Sequence, residues 1–253
     1  MWFLYFLKYI EVFKMAAKHF CITVSPVNLP KSTTMTDIFG HFSHKPWAIF
    51  LDSANSLHQD GRFDILVADP ISTVTCQGKI SQLWQKQTDA TVVSERNPIE
   101  LIQTLLDQHM PKERLDMADN SQLPFLVGAM GLFGYDLGKR FEDLPDKNND
   151  NYSAPDMAVG IYSWSLIKDN HTQKIYLCYL DNFDHPSTLD IQNVALKKAQ
   201  YADFDLTSNW QANMNQQEYT EKLGKISEYL QAGDCYQINL AQRFSATYTG
   251  DEW

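Results

Sequence analysis

Apolar positions recur with two different periods along this chain, and the change of period separates expected helices from expected strands. In residues 32–45, capping residues precede Ile38, Phe39 and Phe42 at helical spacing, predicting a short helix that Pro46 ends. Two apolar runs, 47–51 and 62–68, have strand composition and are divided by a polar break that begins at Asp52. Residues 72–84 alternate as a hairpin with Gly78 near its turn. Asn97 and Pro98 then stand as N-cap and first residue of a helix whose apolar face is Ile99, Ile102, Leu105 and Leu106.

Further along, 111–122 and 142–153 are polar and turn-rich, and are expected to be loops. Residues 157–167 and 174–180 predict paired strands around the turn Asp169–Asn170, and 189–201 predicts a helix. The clearest helix is 215–232, with Tyr219, Leu223, Ile226 and Leu230 on one face and Gly233 as its stop. Residues 235–248 are expected to form a long strand. Strand pairs and helices follow one another without a regular βαβ rhythm, so the expected class is α+β with largely antiparallel sheets and flanking helices.

The first twenty residues are rich in apolar side chains, but Lys8, Glu11, Lys14 and Lys18 interrupt them at spacings that share one helical face. Those charges exclude a membrane span. Residues 1–17 are therefore read as an extension: an amphipathic helix packed on the core or lying on a membrane surface, or sequence upstream of a true start at Met15 or Met35. At the other end, residues 249–253 look like a turn leading into another element, so the chain is expected to be cut short.

Acidic residues outnumber basic ones, 31 to 21, for a net charge of −10. That balance argues against a nucleic-acid partner, which requires a basic stripe. Cys21, Cys76, Cys178 and Cys235 are widely spaced and form no CxxC pair, so neither a zinc site nor a disulfide framework is expected. Four buried thiols in a reducing cytoplasm are.

Chemistry is sparse. Gly128, Gly131 and Gly134 match neither the dinucleotide fingerprint nor the P-loop, and are read as a bent strand that a neighbour approaches closely. His41 and His44 lack a third ligand, and Asp52, Asp60, Asp64 and Asp69 are read as polar positions around a half-exposed strand. One arrangement suits a small zwitterion. If the strands 47–51 and 62–68 pair, Ser53, Arg62 and Phe63 converge at one sheet end, offering a hydroxyl, a guanidinium and a ring. An ordinary loop with a surface Arg is the alternative.

Three strings then carry a resemblance: Leu132 to Glu142 (LFGYDLGKRFE), Asp156 to Tyr162 (DMAVGIY) and Gly233 to Phe244 (GDCYQINLAQRF), supported by Pro46-Trp47-Ala48 and Arg62-Phe63-Asp64-Ile65. From about Phe20 to Trp253 the chain resembles aminodeoxychorismate synthase component I, the para-aminobenzoate branch of the chorismate-utilising enzymes that include anthranilate synthase component I. The Asn239-Leu240-Ala241-Gln242 segment is the para-aminobenzoate-branch version.

The resemblance implies an anthranilate synthase component I N-terminal-like domain at 18–205 and the start of a chorismate-binding domain at 206–253. It implies an enzyme that, with Mg²⁺, aminates chorismate with ammonia from a glutamine amidotransferase subunit, giving 4-amino-4-deoxychorismate for folate synthesis. The catalytic and magnesium-binding motifs of that family are absent from these 253 residues. No catalytic residue and no metal ligand is therefore expected in this chain, and no activity of the chain alone. The resemblance also implies a tryptophan pocket at Ser53, Asp60, Gly61, Arg62 and Phe63, where Asp60 and Gly61 replace a common Tyr-Ser pair. A stand-alone tryptophan-binding module and a fragment of anthranilate synthase component I are the alternatives.

Overall fold

The computed structural model describes residues 20–30, 32–54, 58–111, 115–117, 122–144, 154–197 and 199–253. The extension 1–17, most of the loop 142–153 and residues 55–57 lie outside them. The chain forms two compact units, residues 1–199 and 200–253, against the boundary of 205/206 expected from sequence.

Two largely antiparallel sheets build the first unit among the described residues. One orders β2 (Ile49–Leu51), β3 (Phe63–Val67), β10 (Trp164–Asp169), β11 (Lys174–Leu180), β1 (Phe20–Val27) and β7 (Leu115–Met117). The other orders β6 (Ala90–Ser94), β5 (Ile80–Gln85), β4 (Ser72–Gln77), β9 (Met157–Tyr162) and β8 (Gly128–Phe133). Only the β1–β7 pairing is parallel among the described pairs.

Alternation of side chains across each strand decides which face is covered. Leu66, Leu166 and Leu177 turn one face of the first sheet toward α1 (Met35–Phe39) and α3 (Thr188–Ala195), burying Ile38 and Ile191 completely. Ile65, Ile167 and Cys178 turn the opposite face toward Phe125, Leu126 and Met130. In the second sheet, Val74, Val159 and Ile161 pack under α2 (Pro98–His109), against Leu101, Ile102 and Leu105. Each buried aliphatic contributes about 1.5–3 kcal/mol, which is why these rows hold the layers together.

Local capping matches the sequence closely. Thr34, Asn97 and Ser187 cap α1, α2 and α3 with their side chains, and Thr34 and Ser187 form full capping boxes with Asp37 and Asp190.

Several expected elements differ. Residues 157–167 are not one strand: the chain leaves the second sheet at Tyr162 and enters the first at Trp164, with Ser163 alone between. A continuous apolar run, buried on both faces, carries no period to mark that break. The polar stretch 111–122 contains the short strand β7, and α3 stops at Ala195 instead of reaching residue 201. Cys21 is exposed and Cys235 half-buried, so only Cys76 and Cys178 are buried thiols.

In the second unit, α4 (Gln216–Ala232) runs from Asn215, a full capping box, to Gly233 in the left-handed conformation. No residue of this helix is buried. The expected long strand over 235–248 is instead irregular, with two-residue pairings of β14 (Phe244–Ser245) to β13 (Gln211–Ala212) and of β15 (Tyr248–Thr249) to β12 (Asp205–Leu206). Long apolar and aromatic content alone does not make a strand without a partner to fill its hydrogen bonds.

Candidate functional site

The strands on either side of the break at Asp52 do pair. β2 runs antiparallel to β3 with Leu51 opposite Ile65, so Ser53 passes beside the start of β3. On the other flank β10 sets Asp169 opposite Phe63. This register gathers Ser53, Arg62, Phe63, Asp64, Asp169 and Asn170 at one end of the sheet.

Their polar atoms form a linked network. Arg62 Nε and Nη2 donate to Asp169 Oδ1 and Oδ2 at 3.1 and 2.7 Å, a two-pronged pair. The guanidinium carbon lies 4.6 Å from the centre of the Phe63 ring. Ser53 donates both its hydroxyl, at 2.6 Å, and its backbone N–H, at 3.0 Å, to Asp64 Oδ1. Asn170 Nδ2 donates to Ser53 Oγ at 2.9 Å, and its backbone N–H donates to the Arg62 carbonyl at 2.8 Å. The Asn170 side-chain oxygen is buried without a protein partner.

Charge follows from this geometry. The Arg62 guanidinium holds the Asp169 carboxyl well below the usual carboxylate range against the opposing effect of burial, with help from the His171 and Thr172 backbone N–H groups. The same hydrogen bond raises Arg62 further. The guanidinium is thus gripped on one edge by Asp169, with its remaining N–H groups on the other.

Asp60 and Gly61 belong to a tight turn, Gln59–Gly61, whose Asp60 and Gly61 N–H groups bond back to its cap, His58. The Gly61 N–H donates to the His58 carbonyl at 2.9 Å, and the exposed Asp60 carboxylate stands 3.3 Å from His58 Nδ1. Asp64, Asp169 and Asn170 were not expected as members of this site. Nothing local marks them: Asp64 reads as one polar residue among four, and Asp169–Asn170 reads as a turn 107 residues from Arg62. Only the pairing of β3 with β10 unites them.

Other candidates resolve structurally. His41 Nε2 bonds the Lys197 carbonyl oxygen at 2.9 Å. Gly131 sits where a Cβ would collide with the Ala158 carbonyl oxygen of the adjoining strand, so the glycine-rich string is a close-packed strand. Among the described residues, no three His, Cys, Asp or Glu side chains converge to hold a metal ion, and no helix is long and apolar enough to cross a membrane. The described residues offer no set that fits Mg²⁺.

The chain is 44% identical over 218 residues to aminodeoxychorismate synthase component 1 of Escherichia coli, covering 85% of this chain and 46% of that protein. The Salmonella typhimurium protein of the same name is 41% identical over 235 residues, covering 91% of this chain and 50% of its own. Anthranilate synthase component 1 of Lactococcus lactis is 28% identical over 211 residues, covering 79% of this chain and 44% of that protein. The chain thus spans about half the length of the curated relatives it matches. In fold it resembles the crystal structure of anthranilate synthase component I from Streptococcus pneumoniae, with TM-score 0.52 and 19% identity, over 89% of this chain and 51% of that one. The family model for chorismate binding enzymes matches residues 48–253, and the chain belongs to that family.

Proposed function

We propose that this chain is the amino-terminal portion of an aminodeoxychorismate synthase component I. The whole enzyme would aminate chorismate with ammonia delivered by a glutamine amidotransferase subunit, yielding 4-amino-4-deoxychorismate for para-aminobenzoate and folate synthesis in the cytoplasm. The observation that carries this reading is the gap in likeness: 44% identity to the Escherichia coli aminodeoxychorismate synthase component against 28% to the Lactococcus lactis anthranilate synthase component.

In this reading the 253 residues supply scaffold and docking surface, and Mg²⁺ serves the whole enzyme through residues outside them. The chain alone is expected to leave chorismate unchanged in the presence of ammonia and Mg²⁺. It is expected to bind the amidotransferase subunit of a related aminodeoxychorismate synthase, read by calorimetry. Consumption of chorismate by the chain alone would overturn the assignment of roles.

We further propose Ser53, Asp60, Gly61, Arg62 and Phe63 as an amino-acid pocket, with tryptophan as the ligand. Support comes from the convergence of a hydroxyl, a guanidinium and a ring at one sheet end. Asp169 is the group an incoming carboxylate must share Arg62 with. Calorimetry with tryptophan on the intact chain and on Arg62→Met tests it: saturable heat lost in the variant supports the pocket, and no heat in either refutes it.

A further inference from the structure

A second concave surface lies elsewhere in the first unit, on the face of the second sheet turned away from α2. Thr73, Trp84 and Thr91 stand opposite one another across β4, β5 and β6. Their neighbours Val74 and Leu83 point the other way into the core, so alternation leaves this row on the open face. The row floors a groove of about 560 Å³ walled by the Pro46–Trp47 and Asp69–Pro70 segments. That size suits a small molecule.

The rim is built rather than incidental. Trp47 and Asp69 both adopt positive φ, at 56° and 53°, a region that Asp enters more readily than most residues but a bulky Trp does not. Hydrogen bonds hold both: the Tyr162 hydroxyl donates to the Trp47 carbonyl at 2.8 Å, and the Asp69 N–H donates to the Pro46 carbonyl at 3.2 Å. Trp47 belongs to the Pro46-Trp47-Ala48 string, which the Ser53–Arg62 network does not use. On the floor, Trp84 Nε1 donates to Asp89 Oδ1 at 3.0 Å, which fixes the indole plane.

The charges narrow the ligand. Asp69 is paired with Lys45 at 3.5 Å, while Asp89 accepts the indole N–H and keeps its negative charge, so the carboxylate of a ligand is accommodated only at Lys86, away from Asp89. Lys86 adds an exposed ammonium to the lining, and its backbone is anchored by donation to the Ile71 carbonyl at 3.0 Å. Two indoles, threonine hydroxyls and one cation are complementary to a flat ring bearing a negative charge. We propose that the groove between Trp47 and Trp84 binds a small planar aromatic carboxylate, its ring against the indoles and its carboxylate at Lys86.

The test titrates the 253-residue chain with benzoate and with uncharged benzamide, following the six tryptophan indole N–H resonances. Benzoate should shift the Trp47 and Trp84 signals saturably and leave the other four in place. Benzamide should bind about threefold more weakly, and Lys86→Gln, at an exposed position, should reduce benzoate to the benzamide level. Trp84→Phe should weaken both ligands while leaving their ratio unchanged. Shifts spread over all six indoles, equal affinity for the two ligands, or no saturation by roughly 10 mM benzoate would overturn the proposal.

Discussion

Asp169 holds Arg62 through both carboxylate oxygens, across the boundary between two strands that the sequence separates by about a hundred residues. The pair sits where β3 meets β10, so it reports on the register of the sheet as well as on the proposed pocket. Its folded carboxyl titrates below an unfolded aspartate, whose value is near 3.9. The stabilisation is therefore intact above about pH 5 and drains away as pH falls toward the folded value. Asp169→Asn should lower the melting temperature by a few degrees at pH 7, and the difference from the parent should shrink in acid. Parallel thermal melts at pH 7 and pH 3 check this.

His109 supplies a pH dependence of its own. It ends α2 in a buried position, with Nε2 2.8 Å from Ser72 Oγ and its ring edge-on to Phe183. Burial lowers its pKa, so the folded chain holds the imidazole neutral. The unfolded chain takes up a proton near pH 6.5, so stability is full above that pH and declines below it. Urea midpoints should fall between pH 7.5 and 5.5, less so in His109→Gln. Ser72→Ala, which strips the ring nitrogen of its partner, should cost about 1–3 kcal/mol at pH 7.5.

Two glycines should respond oppositely to the same change. A methyl at Gly131 has no room against the Ala158 carbonyl, and Gly131→Ala should cost more than roughly 3 kcal/mol or prevent folding. Gly224 lies inside α4 with open space around it, and Gly224→Ala should stabilise the helix by about 0.5–1 kcal/mol. Denaturant midpoints for the first, and helical circular dichroism for the second, measure the contrast.

The thiols should divide by accessibility. Burial pushes the Cys178 thiol up to about 12, and Cys76 is likewise enclosed, whereas Cys21 is exposed. A chromogenic disulfide reagent should modify Cys21 rapidly in the native chain, Cys235 more slowly, and Cys76 and Cys178 only after denaturation. Rapid reaction of all four under native conditions would contradict the burial seen here.

The elements most legible in sequence were those whose signals are local. Asn97-Pro98, Gly78, and the Asn215-to-Gly233 span each mark an end or a turn with a side chain or backbone that works within a few residues. The convergence of Ser53 with Arg62 was also accessible, because a single hairpin pairing implies it. Asp169 and Asn170 were not, since their role depends on which of several apolar strands lies beside β3. The switch at Ser163 was hidden for a related reason: strands buried on both faces show no alternation. The irregular 235–243 stretch shows the opposite failure, apolar content without a neighbouring strand to pair with.

One residue, Ser163, is all that lies between β9 in one sheet and β10 in the other, and its carbonyl accepts the Leu180 N–H at 2.9 Å. A joint that short leaves no slack. The joint limits how far either sheet can move without its neighbour, so the described residues of the two sheets should lose structure in one cooperative step, and a disturbance at either the Arg62 cluster or the Trp47 groove should register at the other.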